Sequence, residues 1–292
     1  GSLHHSIYKN ARQVLKDPGK AIAHPEQQKR ISPNQVISAN SSRVQEALRV
    51  IEEFTRISDP KLSKTASDIR YGMYEIEIRI MNKDIGEKRR KILNNCNLYL
   101  ITNNSQNING IVLEGLKAGI KMVQYRCKGN NDNEKFTQAK ELALLCKKFN
   151  SLFIVNDRID LALATNADGV HLGQEDFSVK TARNLLGSEK LIGQSTHSIK
   201  EVEIASQNGC DYLGLGPIYN SQTKPGIEPI GESFLTMATE KTKLPVFAIG
   251  GINISNTKRL STFGGRRIAV SSAIINSRDP GLATKKLLKE LE

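Results

Sequence analysis

Eight short runs of β-forming residues alternate with helical segments from residue 98 to the end of the chain. The predicted strands are, in order, 98–102, 121–126, 152–156, 169–172, 191–194, 212–216, 246–249 and 267–270. Predicted helices between them include Glu134–Phe149, Val179–Leu186 and Ile199–Asn208. Strict β-α alternation implies parallel strands joined by right-handed crossovers. Eight such repeats in about 195 residues predict a (β/α)8 (TIM) barrel of the α/β class. The alternative is an open doubly wound sheet, but no Gly-x-Gly-x-x-Gly loop follows the first strand.

The first 95 residues show helical signals instead. Ser32–Gln35 combines a capping serine, a proline at the first helical position and a glutamine three residues on, which is typical of a helix start. Asp59–Pro60 separates this helix from a second one. The two apolar faces are Val44, Ala47, Leu48, Ile51 and Phe54 on the first helix, and a heptad stripe of Leu62, Ala66, Ile69, Met73, Ile76 and Ile80 on the second.

These signals predict a small all-helical domain over residues 1–82, a linker over 83–96 and a catalytic barrel over 97–292. The charge run Glu87–Lys91 favours a solvated linker. Gly1-Ser2 resembles a remnant of tag removal, so we expect the helical domain to be truncated. Two helices cannot enclose a core, so their stripes should pack on N-terminal sequence, on the barrel or on a second copy as a homo-oligomer.

Composition restricts the classes of partner. The net charge is +12, with 18 Lys and Arg against 11 Asp and Glu in residues 1–95, and 24 against 19 in the remainder. Nucleic acid is one ligand of so basic a chain, but only 5% of residues are aromatic and no nucleic-acid motif is present, so we favour small anionic substrates over nucleic acid. No apolar run indicates a membrane partner. The four cysteines lack paired spacing, which is typical of a reducing cytoplasm.

In a (β/α)8 barrel the active site lies at the C-terminal ends of the strands, so polar residues there are candidate site residues. After the second strand, Gln124, Arg126 and Lys128 stand at alternate positions and project the same way from an extended chain. Two cations and an amide on one face suit an anion such as pyrophosphate. A polar strand end that simply faces water is the plainer interpretation.

Carboxylates follow the next two strands. Asp157 comes after the third strand, next to Asn156, and Asp176 comes after the fourth. Neighbouring carboxylates can hold one hard cation, and phosphates beside them make Mg²⁺ the expected metal. His171 lies within the fourth strand, where barrel packing is its first expected role and a site role its second.

The later strand ends offer hydroxyl groups and glycines. Ser195 follows the fifth strand, where capping of the next helix is the commonest role. Ser221, Thr223 and Lys224 lie on a long loop that could hold phosphate. Glycines 250 and 251 follow the seventh strand, and Ser271 and Ser272 the eighth. These last two loops are where (β/α)8 barrels commonly bind phosphate, so we predict a second phosphate site there.

Five of these stretches, 124–128, 156–158, 169–176, 214–224 and 248–252, resemble thiamine-phosphate synthases in their order and spacing. The resemblance covers about residues 97–290. It implies condensation of 4-amino-2-methyl-5-hydroxymethylpyrimidine diphosphate with 4-methyl-5-(2-phosphoethyl)thiazole, or its carboxylated form. The products would be thiamine phosphate and pyrophosphate, with pyrophosphate departing before the thiazole nitrogen attacks.

The resemblance also implies a role for each site residue. The pyrimidine diphosphate would be held by Gln124, Arg126, Lys128, Asn156, Ser195 and Lys224. The thiazole phosphate would be held by Ser221, Thr223, Gly251, Ser271 and Ser272. Asp157 and Asp176 would bind Mg²⁺, while Arg126, Lys128 and Lys224 would neutralise charge on the departing pyrophosphate.

Two other functions are compatible with parts of the sequence. A thiazole tautomerase is a barrel relative that binds thiazole phosphate without joining it to pyrimidine, and the diphosphate and metal residues argue against it. A nucleic-acid-binding or regulatory protein would use the basic front domain. Residues 39–53 of that domain resemble a helical extension fused to some bacterial synthases, whose relatives are linked to hydroxymethylpyrimidine phosphate kinase activity. No phosphate-binding glycine loop is visible, so we expect a packing or dimerisation role instead.

Overall fold

The computed structural model describes residues 32–129, 131–220, 226 and 228–292. The chain forms two compact units, Gly1–Met81 and Asn82–Glu292. Among the helices of the described residues, none combines the length and apolarity that crossing a membrane requires.

The described part of the first unit consists of helix α1, Pro33–Thr55, and of helix α2, Pro60–Asn94, as far as Met81. The predicted start of α1 is confirmed, because the Ser32 hydroxyl accepts a hydrogen bond from the Gln35 amide and Pro33 is the first helical residue. A short turn separates the two helices, as the Asp59–Pro60 pair predicts, and the Asp59 carboxylate accepts a hydrogen bond from the Leu62 amide.

Polar side chains form the buried contact between α1 and α2. The Arg70 guanidinium bonds the Glu52 carboxylate at 3.0 and 3.1 Å, and Ser63 donates to the Glu52 carbonyl at 2.8 Å. Gln45 donates to Glu77 at 3.1 Å. Of the two predicted apolar stripes only Ala66 is fully buried, and most of the large members are exposed. The stripes therefore do not form the contact between these helices, and what covers them stays an open prediction.

The second unit is a closed barrel of eight parallel strands in the order of the sequence, which confirms the predicted fold class. The strands are β1 Leu98–Ile101, β2 Met122–Tyr125, β3 Leu152–Asn156, β4 Gly169–Leu172, β5 Leu191–Thr196, β6 Tyr212–Leu215, β7 Val246–Ile249 and β8 Ile268–Val270. The helices of this unit in the described residues, after the end of α2, are α3 Ile108–Lys117, α4 Asp132–Lys148, α5 Ile159–Ala164, α6 Val179–Leu186, α7 Ile199–Gln207, α8 Ser233–Lys241, α9 Ile254–Ser261, α10 Ser272–Ile275 and α11 Pro280–Glu290.

Two apolar cores lie on opposite faces of the barrel wall. The outer core packs strand residues such as Leu100 and Val123 against the surrounding helices. The inner core fills the barrel with the alternate residues of the same strands, which include Tyr99, Met122, Ile154, Tyr212 and Phe247. Because both faces of the strands are largely buried, the strands are mainly apolar rather than alternating, as parallel strands usually are.

The end of α2 closes the base of the barrel. Leu93 and Cys96 are buried in the inner core. Arg89 bonds Asp168 at 2.7 Å and Arg90 bonds Asp211 at 2.9 Å, and these carboxylates directly precede β4 and β6. Residues 83–94 are therefore helical and partly engaged with the barrel, which differs from the solvated linker that the charge run predicts. Ion pairs across 79 and 121 residues of sequence account for the difference.

Candidate active site

A cavity lies at the C-terminal ends of the strands, the face where barrels of this class place their sites. Seven of the predicted site residues line the cavity: Gln124, Arg126, Asn156, Ser195, Gly251, Ser271 and Ser272. They come from five different strand ends, so closure of the barrel brings together residues far apart in sequence.

The other predicted residues lie elsewhere. Lys128 is exposed beyond the end of β2 and is absent from the cavity lining, and its backbone amide donates to Asn104 at 3.0 Å. Asp157 and Asp176 are exposed at the ends of β3 and β4. Ser221, Thr223 and Lys224 fall outside the described residues.

Residues of β1 and of the segment that follows β1 hold the end of β2 in place. Gln124 is buried inside the barrel, where its amide donates to the Tyr99 hydroxyl at 2.5 Å. Two residues on, the Arg126 amide donates to Thr102 Oγ1 at 2.9 Å, which fixes the backbone where the guanidinium leaves the wall. Gln124 and Arg126 therefore both face the cavity, as their spacing predicts, whereas Lys128 lies past the regular strand.

The two candidate metal carboxylates have backbone anchors. Asp157 adopts a left-handed conformation with φ of 61°, and its amide donates to the His171 carbonyl at 2.9 Å, which ties the end of β3 to β4. Asp176 accepts a hydrogen bond from the Gly173 amide at 2.7 Å. No three His, Cys, Asp or Glu side chains in the described part of the chain form a metal-binding group. Two oxygen donors fit Mg²⁺, because this ion commonly takes one or two carboxylates and completes its shell with substrate oxygens and water.

Arg158, which follows Asp157, is engaged elsewhere. Its guanidinium bonds the carboxylates of Asp132 and Asp160 at 2.6–3.2 Å. The hydrogen bond from Arg158 lowers the pKa of Asp160 to about 2. This cation therefore joins α4 and α5 to the end of β3.

The hydroxyl groups of Ser195 and Ser271, two of the predicted site residues, are not used for helix capping. Ser198 caps α7, so Ser195 is not the cap and instead lies 3.0 Å from His171 Nε2. Ser271 stands at the N-cap position of α10, but its side chain makes no capping hydrogen bond. Both hydroxyls are partly exposed in the cavity wall.

The loop after β7 is shaped by glycine. Gly251 has φ of 66°, and a Cβ there would collide with the backbone oxygen of Asn220 in the loop after β6. Asn256, which takes part in the capping box of α9, donates to the Gly251 carbonyl at 3.0 Å. The two loops can approach this closely only because residue 251 has no side chain.

The strand-end reasoning missed two tyrosines inside the barrel, one that lines the cavity and one that contacts that tyrosine. Tyr99 lines the cavity, and its hydroxyl lies 3.0 Å from that of Tyr212. Burial raises the pKa of both phenols, so both keep their protons. The sequence feature that could have indicated them is a tyrosine in an otherwise apolar strand. In a strand buried on both faces, however, the sequence pattern does not reveal which face the tyrosine occupies.

Comparison with known families divides the chain at a similar place. The family model described as thiamine monophosphate synthase matches residues 98–274. A second model, the ThiD2 family, matches residues 2–79.

Curated relatives match over the whole chain. A thiamine-phosphate synthase of Prochlorococcus marinus (strain MIT 9313) is 50% identical over 296 residues, which cover 100% of this chain and 84% of the relative. One from Synechococcus sp. (strain CC9605) is 48% identical and covers 100% of this chain and 83% of its own length. Among solved structures, thiamine phosphate pyrophosphorylase from Pyrococcus furiosus has a TM-score of 0.63 at 34% identity, and the match covers 70% of this chain and 96% of that one.

Proposed function

The chain belongs to the thiamine-phosphate synthase family and has that transferase activity, and on this premise we propose that its cavity is where a pyrimidine diphosphate and a thiazole phosphate are joined. One observation carries the proposal. The same cavity is lined by residues expected to hold the pyrimidine substrate, such as Arg126 and Ser195, and by residues expected to hold the thiazole phosphate, such as Gly251 and Ser271. Two substrates bound in one cavity can react directly.

The pyrimidine diphosphate lies along the ends of β2, β3 and β5 in this proposal. Gln124, Asn156 and Ser195 supply neutral hydrogen-bonding groups for the ring and the diphosphate. The Arg126 guanidinium supplies positive charge, and Lys128 and Lys224 are the further cations. The exposed position of Lys128 outside the cavity lining suits a contact with the outer end of the diphosphate.

The thiazole phosphate lies against the loops after β7 and β8. A phosphate group can approach the Gly251 backbone closely, because glycine has no side chain to cover it. The Ser271 hydroxyl, which does not cap its helix, and Ser272 can donate to phosphate oxygens. Ser221 and Thr223 complete this set in the proposal, and the substrate is the thiazole phosphate or its carboxylated form.

Asp157 and Asp176 hold Mg²⁺ in this proposal, since two exposed carboxylates at neighbouring strand ends are the oxygen donors that it prefers. Mg²⁺ bound there would neutralise diphosphate oxygens. The carbon–oxygen bond between the pyrimidine methylene and the diphosphate breaks, and both electrons leave with pyrophosphate. Arg126 and the lysines stabilise that developing charge. The thiazole nitrogen then donates its electron pair to the methylene carbon, and no protein nucleophile is needed.

A coupling assay with both substrates and Mg²⁺ tests the proposal, with thiamine phosphate and pyrophosphate measured separately. We expect equal amounts of the two products. A thiazole tautomerase would release no pyrophosphate and make no thiamine phosphate, so that outcome would refute the proposal.

The metal assignment predicts that Asp157→Ala and Asp176→Ala each lower Mg²⁺-dependent kcat/KM by at least about a hundredfold, because charge on the leaving group is no longer neutralised. Glu175→Ala is the matched control, since it removes an exposed carboxylate next to Asp176 and should leave the rate nearly unchanged. Circular dichroism checks that each variant is folded. Near-normal turnover in both aspartate variants would contradict the assignment.

A further inference from the structure

Five polar side chains form an unbroken hydrogen-bonded line from the barrel interior to the cavity wall. In order they are Gln124 on β2, Tyr99 on β1, Tyr212 on β6, His171 on β4 and Ser195 on β5. Gln124 Nε2 lies 2.5 Å from the Tyr99 hydroxyl, which lies 3.0 Å from the Tyr212 hydroxyl. That hydroxyl lies 3.2 Å from His171 Nδ1, and His171 Nε2 lies 3.0 Å from Ser195 Oγ.

Proton counting gives this line a direction. The Gln124 NH₂ group can only donate, so the Tyr99 oxygen accepts from it. Tyr99 is only 1% exposed, so its single proton needs an acceptor within the line, and the Tyr212 oxygen is the acceptor that it reaches. The Tyr212 proton then points to His171 Nδ1. An imidazole that accepts at Nδ1 carries its proton on Nε2 and donates it to Ser195 Oγ. Ser195, which accepts from the histidine, keeps its own O–H for a ligand in the cavity.

The line is rigidly packed. Tyr99, Tyr212, Gln124 and His171 are all buried, and the two tyrosine rings meet edge to face at 5.9 Å. Gly193 pairs with His171 on one side and with Tyr212 on the other, and a Cβ there would collide with the Tyr212 ring. A fixed geometry of this kind limits the alternative rotamers that would break the line.

We propose that His171 is a positioning residue whose tautomer, set by Tyr212, Tyr99 and Gln124, holds the Ser195 hydroxyl as a hydrogen-bond donor to the pyrimidine substrate. The matching acceptor is an unprotonated pyrimidine nitrogen. This inference rests on the proposed function, because that function places the pyrimidine at Ser195. The hydrogen-bonded line itself, however, is a property of the protein without substrate.

The tautomer is measured first, in the protein without substrate. ¹⁵N NMR of the histidine-labelled full chain, with the His171 signals identified by their loss in His171→Gln, should show a proton on Nε2 and none on Nδ1. A proton on Nδ1, or on both nitrogens at pH 7.5, would overturn the proposal. This result does not depend on which reaction the enzyme catalyses, so it separates failure of this inference from failure of the proposed function.

Kinetics test the consequence for binding. Tyr212→Phe keeps the ring and removes the hydroxyl, and we expect it to lower kcat/KM for the pyrimidine diphosphate about tenfold, as loss of one hydrogen bond does. The KM for the thiazole phosphate should not change. Tyr125→Phe is the matched control, because it removes a buried tyrosine hydroxyl that belongs to the outer core, and its kinetics should match those of the unaltered chain.

A double variant separates positioning from general damage. If Tyr212 acts through Ser195, then Tyr212→Phe should have little further effect in a Ser195→Ala background. Multiplicative losses in the double variant, or equal losses for both substrates, would overturn the proposal. If Tyr212→Phe does not fold, as judged by thermal melting, Tyr99→Phe with the same NMR measurement takes its place, with a smaller kinetic loss expected because the Tyr212 to His171 bond remains.

Discussion

Gly193 occupies a position in the barrel wall that leaves no room for a side chain. It pairs with Tyr212 across the β5–β6 ladder, and a Cβ at this residue would overlap the tyrosine ring. The ring cannot move away easily, because Tyr99 and Phe247 contact it edge-on at 5.9 and 5.7 Å between ring centres. A single methyl group here therefore disturbs the middle of the inner core.

We expect Gly193→Ala to reduce the free energy of unfolding by about 1–3 kcal/mol, the usual cost of overpacking a well-filled core. Urea denaturation of the full chain measures this. Gly129→Ala is the control, because Gly129 is exposed and its nearest neighbour, Cys127 Sγ, would lie at an ordinary contact distance of 3.6 Å. Equal stability of the two variants would show that the Tyr212 ring can move aside.

At the scale of elements, the last turns of α2 act as a base for the strands. Asp211, which directly precedes β6, is bonded by Arg90 from α2, by Arg183 from α6 and by the Ile192 amide of β5. Only 9% of its side chain is exposed, so this carboxylate is well desolvated. One acidic residue thus joins three elements at the N-terminal end of the barrel.

Asp211→Ala should lower the free energy of unfolding by about 2–4 kcal/mol, because the Ile192 amide loses its acceptor and two guanidinium groups lose their carboxylate. Asp160→Ala is the matched control, since Asp160 also bonds an arginine but 66% of its side chain is exposed, and about 0–1 kcal/mol is expected there. Urea denaturation compares the two. A loss for Asp160→Ala as large as that for Asp211→Ala would contradict the buried role.

For the whole molecule, the boundary between the two units lies earlier in the chain than the sequence predicts. The units divide between Met81 and Asn82, whereas the sequence predicts that the barrel begins at residue 97. Residues 82–94 carry Arg89, Arg90 and the fully buried Leu93, so they belong with the barrel. Pairing of two copies through the helical unit stays a prediction.

We therefore expect a fragment of residues 82–292 to melt well above a fragment of residues 96–292. The shorter fragment loses one buried leucine, worth about 2 kcal/mol, and two partly buried ion pairs. Differential scanning calorimetry gives both melting temperatures, and the coupling assay on each fragment and on the full chain shows whether the first unit is needed for turnover. Identical melting temperatures would assign residues 82–95 to the first unit instead.

Local patterns were enough to predict much of this protein. The eight strands lie within two residues of their predicted ends, because β-rich runs and helical periods are properties of adjacent residues. The start of α1 followed from the local pattern of Ser32, Pro33 and Gln35. Gln124 and Arg126 could be placed in the cavity because they stand two residues apart at a strand end, and the barrel topology decides where that end lies.

The sequence by itself thus determined the order of the elements, the fold class and seven of the residues that line the cavity. Only the tertiary structure decided which face of β1 and β6 points inward, because strands buried on both sides carry no alternation, and so it alone shows Tyr99 and Tyr212 beside His171. It alone also joins Arg90 to Asp211 across 121 residues. These features depend on closure of the barrel, which brings together residues whose separation in sequence no local periodicity can bridge.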